Sequence, residues 1–150
     1  MTNPRGPRAF RPSRVFMGSL SHGEDLLAGL TSICRQEEIR SGRIEGLGAV
    51  SRANLGFYDQ ERRTYRSIEL ASPLEILSLK GNISLKEGEP FVHAHLTLSD
   101  ASGRAFGGHL ALGTVVFAFE YVIEAWEGPV LERRFDETTG LFLWEGGGGL

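Results

Sequence analysis

Three of the four histidines in this 150-residue chain lie close together in the sequence, at His93, His95 and His109. Imidazole nitrogens are common ligands of zinc and of related divalent metals. Side chains alternate between faces along a β-strand, so His93 and His95 would point the same way. A third histidine on that face would complete a three-histidine set that leaves a fourth coordination position open.

The segment between His95 and His109 decides whether the third histidine joins the other two. Its middle, 100–103, reads Asp-Ala-Ser-Gly and predicts the turn of a β-hairpin. A three-residue loop that ends on its glycine pairs Asp100 with Arg104, and this register places His95 opposite His109. A two-residue loop would put His109 on the other face.

The two faces of the predicted hairpin differ in character. One is apolar, as a core-facing surface requires, and carries Val92, Ala94, Leu96, Leu98, Phe106, Gly108, Leu110 and Leu112. The histidine face carries Phe91 and Thr97 beside the small residues Ala105, Gly107 and Ala111, which leave room around the imidazoles. We therefore predict a divalent metal, with zinc favoured. The alternative is polar histidines on a solvated or subunit-facing strand surface.

Motifs along nearly the whole chain, from about Val15 to Trp144, match one known family. They are HAHL and GGHL within 81–110, GLGAVS and LGFY within 46–58, and RFD and TGL within 134–141. On these motifs the chain resembles the prokaryotic form of the PPC domain (plants and prokaryotes conserved).

The resemblance implies an α+β domain built on a mostly antiparallel sheet and assembled as a homotrimer. It also implies a metal site, since some prokaryotic members hold a metal at histidines that match His93, His95 and His109. Plant members carry AT-hook DNA-binding segments and act in the nucleus, and prokaryotic members are often provisionally labelled DNA-binding proteins. The resemblance implies no established activity.

The residue pattern predicts the same fold class, α+β, with about six to seven strands packed by one main helix. Ser21 and Glu24 have the spacing of a capping box, so the helix is expected to begin there and to end near 41–42. Its apolar stripe consists of Leu26, Leu27, Leu30, Ile33 and Cys34. Cys34 is therefore interpreted as an inert core residue.

Two polar residues interrupt otherwise apolar strands. The strand from Val115 to Trp126 is apolar on nearly both faces, and side-chain alternation predicts that Phe117 and Phe119 share a face. An apolar pattern on both faces indicates that a helix covers one side of the strand and neighbouring subunits cover the other. Glu120 lies within it, either as a salt-bridge partner, which we favour, or as an acceptor for a histidine N–H. Asn82 could be a bulge residue or could line a site.

Charge is distributed unevenly. We predict a disordered basic arm over 1–14, one domain over 15–145 and a flexible glycine tail over 146–150. The arm has four arginines and no acidic residue, which gives it a formal charge of +4. Since the whole chain has a formal net charge of −3, the remainder carries −7. These arginines are the candidate DNA contacts: Arg5, Arg8, Arg11 and Arg14. The acidic remainder matches DNA phosphates poorly.

Composition narrows the function classes. No apolar run reaches membrane-spanning length, the N-terminus lacks the apolar core of a signal peptide, and a single cysteine fits a reducing cytoplasm. Three functions remain: a DNA-associated or regulatory module, a hydrolase-type metalloenzyme whose metal activates water, and a small-ligand-binding trimer. Of these, the sequence favours a cytoplasmic, homotrimeric, metal-binding protein with a regulatory or nucleic-acid-associated role. It supports metal binding better than any reaction.

Overall fold

A computed structural model describes residues 6–145 of the chain. These residues form one helix and nine strands. In chain order they are β1 (Arg11–Leu20), α1 (Leu26–Gln36), β2 (Gly42–Asp59), β3 (Thr64–Leu70), β4 (Leu74–Lys86), β5 (Glu89–Ser99), β6 (Ala105–Leu110), β7 (Val115–Glu127), β8 (Glu132–Asp136) and β9 (Leu141–Trp144). No helix among residues 6–145 has the length and apolar character needed to cross a membrane.

All nine strands belong to one sheet with the order β1-β7-β2-β6-β5-β4-β8-β9, and β3 pairs with β2. Every pairing is antiparallel except β4 with β8. The eighteen-residue strand β2 also pairs with β4, so β2, β6, β5 and β4 form a closed circuit of hydrogen-bonded neighbours. The predicted fold class is confirmed, but the expected six to seven strands were too few. The strands β8 and β9 pair with each other as a hairpin.

Helix α1 covers one side of the sheet with the predicted apolar stripe. Leu26, Leu30 and Cys34 are buried, and Leu27 and Ile33 pack against the same core. Burial raises the pKa of the Cys34 thiol to about 12, which keeps it protonated and supports an inert role.

The helix begins four residues later than predicted. Asp25 is the N-cap, because its carboxylate accepts a hydrogen bond from the backbone N–H of Ala28 at 2.9 Å. Glu24 does accept from the Ser21 amide at 2.6 Å, but residues 21–24 form a turn, and backbone hydrogen bonds of Gly23 and Glu24 with Val116 attach this turn to β7. The helix also ends earlier than expected.

The end of α1 is set by one left-handed residue. Glu38 has a φ of 53°, and the next amide, that of Ile39, donates to the carbonyl of Cys34 at 2.8 Å. This conformation stops the helix and turns Ile39 into the core, where it is almost fully buried.

The last four residues of the predicted arm, 11–14, belong to a strand. Arg11 and Arg14 lie in β1, which pairs with β7 from Arg11 opposite Glu127 onward. Arg14 also donates to the backbone carbonyl of Glu37 at 2.6 Å. Hydrogen bonds to β7 therefore order these residues. Residues 1–5 and the predicted tail over 146–150 lie outside the described residues.

The predicted faces of β7 are also wrong. A register irregularity against β2 leaves Phe117 without a partner, and the alternation of side chains shifts by one residue there. Val116 and Phe119 are therefore both buried, whereas Phe117 is 59% exposed. Glu120 is exposed, so the desolvation that would have required an ion-pair partner does not arise within this protomer.

Candidate metal centre

The hairpin β5–β6 brings the three predicted histidines together. Its loop has the expected form, with the Asp100 amide donating to the Arg104 carbonyl at 3.1 Å and Gly103 at a φ of 79°. His95 is opposite His109 in the resulting register, as predicted. The core-facing residues of β5 are buried as expected, from Val92 to Leu98. Leu112, which was predicted on the same core face, is exposed because β6 ends at Leu110.

The three imidazoles are close enough to share one ion. One ligand nitrogen from each residue lies within 4.8 Å of the others. The Nε2 atoms of His93 and His95 are 3.2 Å apart, the separation expected for two nitrogens about 2.0–2.1 Å from one zinc ion in a tetrahedral arrangement.

His109 contributes an independent indication that a ligand belongs here. Its Nδ1 is buried and has no hydrogen-bond partner among the described residues. Buried polar atoms are rarely left unpaired, and such an atom requires an explanation, an ion being one. Coordination through this nitrogen would satisfy it. The residues present therefore fit a divalent metal with imidazole ligands.

The electrostatics keep two of the ligands neutral, as coordination requires. Burial, with smaller contributions from the Arg133 guanidinium and the neighbouring imidazoles, lowers the pKa of His93 to about 4. Burial also lowers the pKa of His109, with help from His95 and Arg133. At neutral pH both rings therefore have a free nitrogen lone pair without having to lose a proton first.

Arg133, which the sequence did not indicate, lies beside the histidines. Its side chain enters from β8 and is only 8% exposed. The guanidinium donates to Ser84 Oγ at 2.9 Å, to Asn82 Oδ1 at 2.9 Å and to the Phe142 carbonyl at 3.1 Å. It also lies between the rings of Phe91 and Trp144, at 5.2 and 5.3 Å from their centroids.

Asn82 therefore lines the site and is not a bulge residue. It is opposite His93 in the regular β4–β5 register, whose one irregularity lies between Ile76 and Ser78. Its side-chain oxygen orients Arg133.

One contact of Arg133, with Nδ1 of His93, is incompatible with a metal bound at Nε2 of that histidine. The Nη2 atom of Arg133 lies 3.4 Å from Nδ1 of His93. In a hydrogen bond between these two atoms the guanidinium N–H donates, so Nδ1 must be the acceptor. A neutral imidazole that accepts at Nδ1 carries its proton on Nε2, the atom that faces His95. A metal at Nε2 needs the proton on Nδ1 instead. Metal binding at His93 Nε2 would therefore release one N–H of Arg133.

A pocket of about 370 Å³ opens beside the histidines. Strands β5 and β6 supply His93 and His109, strand β3 supplies Tyr65, and the β8–β9 hairpin closes the far side. The Tyr65 ring lies 4.9 Å from that of His109. Gly56 allows this approach, since a Cβ there would be 2.9 Å from the Tyr65 ring.

The remaining predicted site residues lie elsewhere or only near the site. Glu120 lines a separate pocket with Met17 and Leu47, and its carboxylate forms no hydrogen bond or ion pair with any residue in 6–145. Arg8 lines a second cavity that also reaches His93 and Arg133. Arg5 lies outside the described residues.

Comparison with known proteins agrees with this architecture. Residues 8–127 match the Plants and Prokaryotes Conserved (PCC) domain. The chain belongs to this family. The PCC match covers β1 to β7 and so includes all three histidines, whereas Arg133 lies beyond it.

Solved structures of similar proteins share the fold of this PCC-domain protein. A metal-containing protein from Archaeoglobus fulgidus is 41% identical, with a TM-score of 0.88 and coverage of 93% of this chain and 98% of its own. A plant- and prokaryote-conserved protein from Pyrococcus horikoshii is 37% identical, with a TM-score of 0.88 over 91% and 94% of the two chains. A protein from Ralstonia eutropha JMP134, provisionally described as DNA-binding, is 30% identical, with a TM-score of 0.76 over 85% and 88%.

Curated relatives are much longer than this chain. Two proteins named bifunctional protein GlmU, from two Synechococcus strains, are 34% and 31% identical over 132 and 144 residues. Those segments are 85% and 93% of this chain, but the chain spans only about a fifth of the relatives' length, 20% and 21%.

Sequence reasoning missed Arg133 and Tyr65 for the same reason. Arg133 contacts residues 40, 49 and 51 positions away in the chain. Tyr65 on β3 contacts His109 on β6, and these two strands are brought together because both pair with β2. No local spacing records such contacts. The RFD motif follows Arg133 directly and marks this segment as part of the family resemblance, but it does not indicate where the Arg133 side chain lies.

Proposed function

We propose that this PCC-domain protein binds one divalent metal ion, zinc in preference, through His93, His95 and His109. The observation that carries the proposal is the convergence of three imidazole nitrogens within 4.8 Å. One of the rings, His109, also has a buried nitrogen without a hydrogen-bond partner in the described part of the chain. The name of the Archaeoglobus fulgidus relative, a metal-containing protein, agrees with it. Bound there, the ion would supply Lewis acidity, while the chain itself orients the imidazoles and limits their access to water.

The test is elemental analysis of protein purified without a histidine tag. We expect about one zinc per chain after zinc is supplied, and loss of most of it in each of His93→Ala, His95→Ala and His109→Ala. Circular dichroism should stay unchanged in these variants, because the core face of β5 is untouched. His22→Ala is the matched control, since His22 is the fourth histidine and lies far along the chain on an exposed turn. A wild-type protein without stoichiometric metal would disprove the proposal.

A regulatory, DNA-associated role is the second candidate. The description of the Ralstonia eutropha relative favours it, as do the arginines of the N-terminal segment. In a homotrimer, which we also propose, three such segments would act together. Arg14 is held in β1 by Glu37, with N–O contacts of 2.6 Å to its carbonyl and 3.8 Å to its carboxylate, so the test of this role leaves Arg14 in place.

The DNA role is tested by charge removal that leaves β1 intact. Deleting 1–14 would remove part of that strand, so the variant to use combines Arg5→Gln, Arg8→Gln and Arg11→Gln. Duplex binding, measured by fluorescence anisotropy, should become undetectable in this variant and should weaken steeply with salt in the wild type. Arg62→Gln, in the exposed turn after β2, is the control. Undiminished binding by the triple variant would place any DNA site on the folded body instead.

A metal-dependent hydrolase is the alternative for the same histidines. The pocket beside them has no aspartate or glutamate among its described lining residues, and Glu145, which lines the adjoining cavity with His93, is paired with Arg134 at 2.8 Å and not with an imidazole. We therefore favour binding over catalysis.

A further inference from the structure

Arg133 is a buried cation without a buried anion. Its guanidinium has hydrogen-bond acceptors in Ser84, Asn82 and the Phe142 carbonyl, but it forms no ion pair with any carboxylate among residues 6–145. Neutral acceptors and aromatic faces satisfy its N–H groups without cancelling its charge. Buried charges in proteins are normally paired, so the missing partner requires an explanation.

The charged residues among the described lining of the pocket that Arg133 faces are all basic. Its described lining contains two more basic residues, Arg63 and Lys86, and no acidic one. Arg63 donates to the backbone carbonyl of Glu137 at 3.0 Å, and Lys86 lies 3.6 Å from the centroid of the Phe142 ring. Within residues 6–145 neither forms an ion pair. Three cations thus converge on one cavity of a chain whose formal net charge is −3.

A metal at the histidines would increase this excess of positive charge. Three neutral imidazoles add no negative charge to a divalent ion, so the ion and Arg133 together would give a local charge near +3, with no carboxylate among the described residues that line this pocket. Glu145, which lines the adjoining cavity with Arg133, forms an ion pair with Arg134 at 2.8 Å. Metal at His93 Nε2 would also release the Arg133 N–H that now contacts Nδ1. Both effects favour an anion in the space between the two groups.

We propose that this pocket binds a small organic anion, with its carboxylate or phosphate oxygens between the metal and Arg133. The inference rests on the proposed metal site and names the class of ligand that the site takes. A planar guanidinium suits both oxyanions, because it can present two parallel N–H groups. The apolar walls, Phe91, Leu141 and Phe142, suit a hydrophobic or aromatic body, and the volume of about 370 Å³ limits the ligand to a small molecule.

The experiment uses full-length protein without a tag, loaded with cobalt(II), and three probes of similar size. Benzoate and phenyl phosphate carry the two oxyanions, and benzamide is the neutral control. Isothermal titration calorimetry measures affinity, and the visible absorption of cobalt reports whether the anion reaches the metal. Cobalt content is measured separately for every variant.

Arg133→Gln is expected to weaken binding of the preferred anion by about tenfold or more, as loss of a charge-assisted hydrogen bond does, with cobalt content unchanged. Arg134→Gln is the matched control, because Arg134 is exposed and pairs with Glu145 at 2.8 Å, away from this pocket. Lys86→Gln supplies a second test if the buried substitution prevents folding. It should weaken binding by a smaller factor that disappears at high salt.

The outcomes separate the two proposals. Stoichiometric cobalt with no binding of either anion, or with benzamide bound equally well, overturns the anion pocket and leaves the metal site standing. Equal losses in Arg134→Gln and Arg133→Gln also overturn it. Absence of cobalt overturns the metal site, and benzoate or phenyl phosphate binding by that metal-free protein, lost in Arg133→Gln, would still support the pocket.

Discussion

At the scale of single residues, burial keeps the candidate ligands uncharged. A folded protein in which His93 has a pKa of about 4 binds fewer protons between pH 4 and 6.5 than the unfolded chain, where the ordinary value of 6.5 applies. Stability rises with pH wherever the unfolded state binds more protons. The lowered pKa of His109 acts in the same direction.

We therefore expect the free energy of unfolding of the metal-free protein to fall as the pH drops from about 6.5 towards 4. Urea denaturation across this range measures it. His93→Gln should flatten the dependence, whereas His22→Gln should leave it as in the wild type. Equal slopes in His93→Gln and the wild type would show that His93 titrates normally in the fold.

At the scale of elements, the hairpin was predictable because its signals are local. Alternation assigns the faces of β5 and β6, and the turn sequence sets the loop length, so the position of His109 follows from counting. The faces of β7 were not predictable, because the irregularity at Phe117 arises from its pairing with β2. Asp25 and Ser21 are both good N-cap residues, and the contacts with Val116 decide between them.

The β4–β5 pairing behind the histidines depends on Gly81. A Cβ at this position would lie 2.6 Å from the His93 carbonyl oxygen and 2.8 Å from the Ala94 Cβ. Gly81→Ala should destabilise the protein by about 1–3 kcal/mol, the usual cost of overpacking, and should weaken metal binding by moving His93. Thermal or urea unfolding and zinc titration measure the two effects.

Glu75→Ala, at an exposed position of the same strand, is the control and should change stability by less than about 0.5 kcal/mol. If Gly81→Ala matches it in both stability and zinc affinity, the strand pair tolerates the methyl group and β4 does not hold His93 in place.

At the scale of the molecule, several strands of the sheet carry apolar side chains that the other described residues leave exposed. Met17 on β1 is 80% exposed, Leu47 on β2 is 60% exposed and Leu77 on β4 is 50% exposed. Met17 is opposite Val122 on β7, and both line one pocket with Leu47. Exposed apolar side chains grouped in this way, here with Glu45, Lys80 and Glu120 beside them, are typical of a protein interface.

We propose that this surface is the contact between subunits of a homotrimer, the number that the family resemblance implies. Analytical ultracentrifugation at micromolar concentration should find a particle of three 16.5 kDa chains, unaffected by high salt because apolar burial stabilises it. Met17→Lys combined with Leu47→Lys should yield monomers. Val130→Lys, an exposed apolar position outside this surface, should not. A wild-type monomer under these conditions would contradict the trimer.

The closed circuit of strands β2, β6, β5 and β4 has a consequence for how a metal would be exchanged. Both histidine-bearing strands are hydrogen-bonded on each side, so the backbone that carries the imidazoles does not depend on a metal for its pairing. In small zinc domains, by contrast, binding energy is folding energy, and chelators unfold the chain. Here a chelator should empty the site and leave a folded, reloadable protein. Occupancy would then follow the concentration of free metal at each moment, which is the behaviour of a reversible sensor.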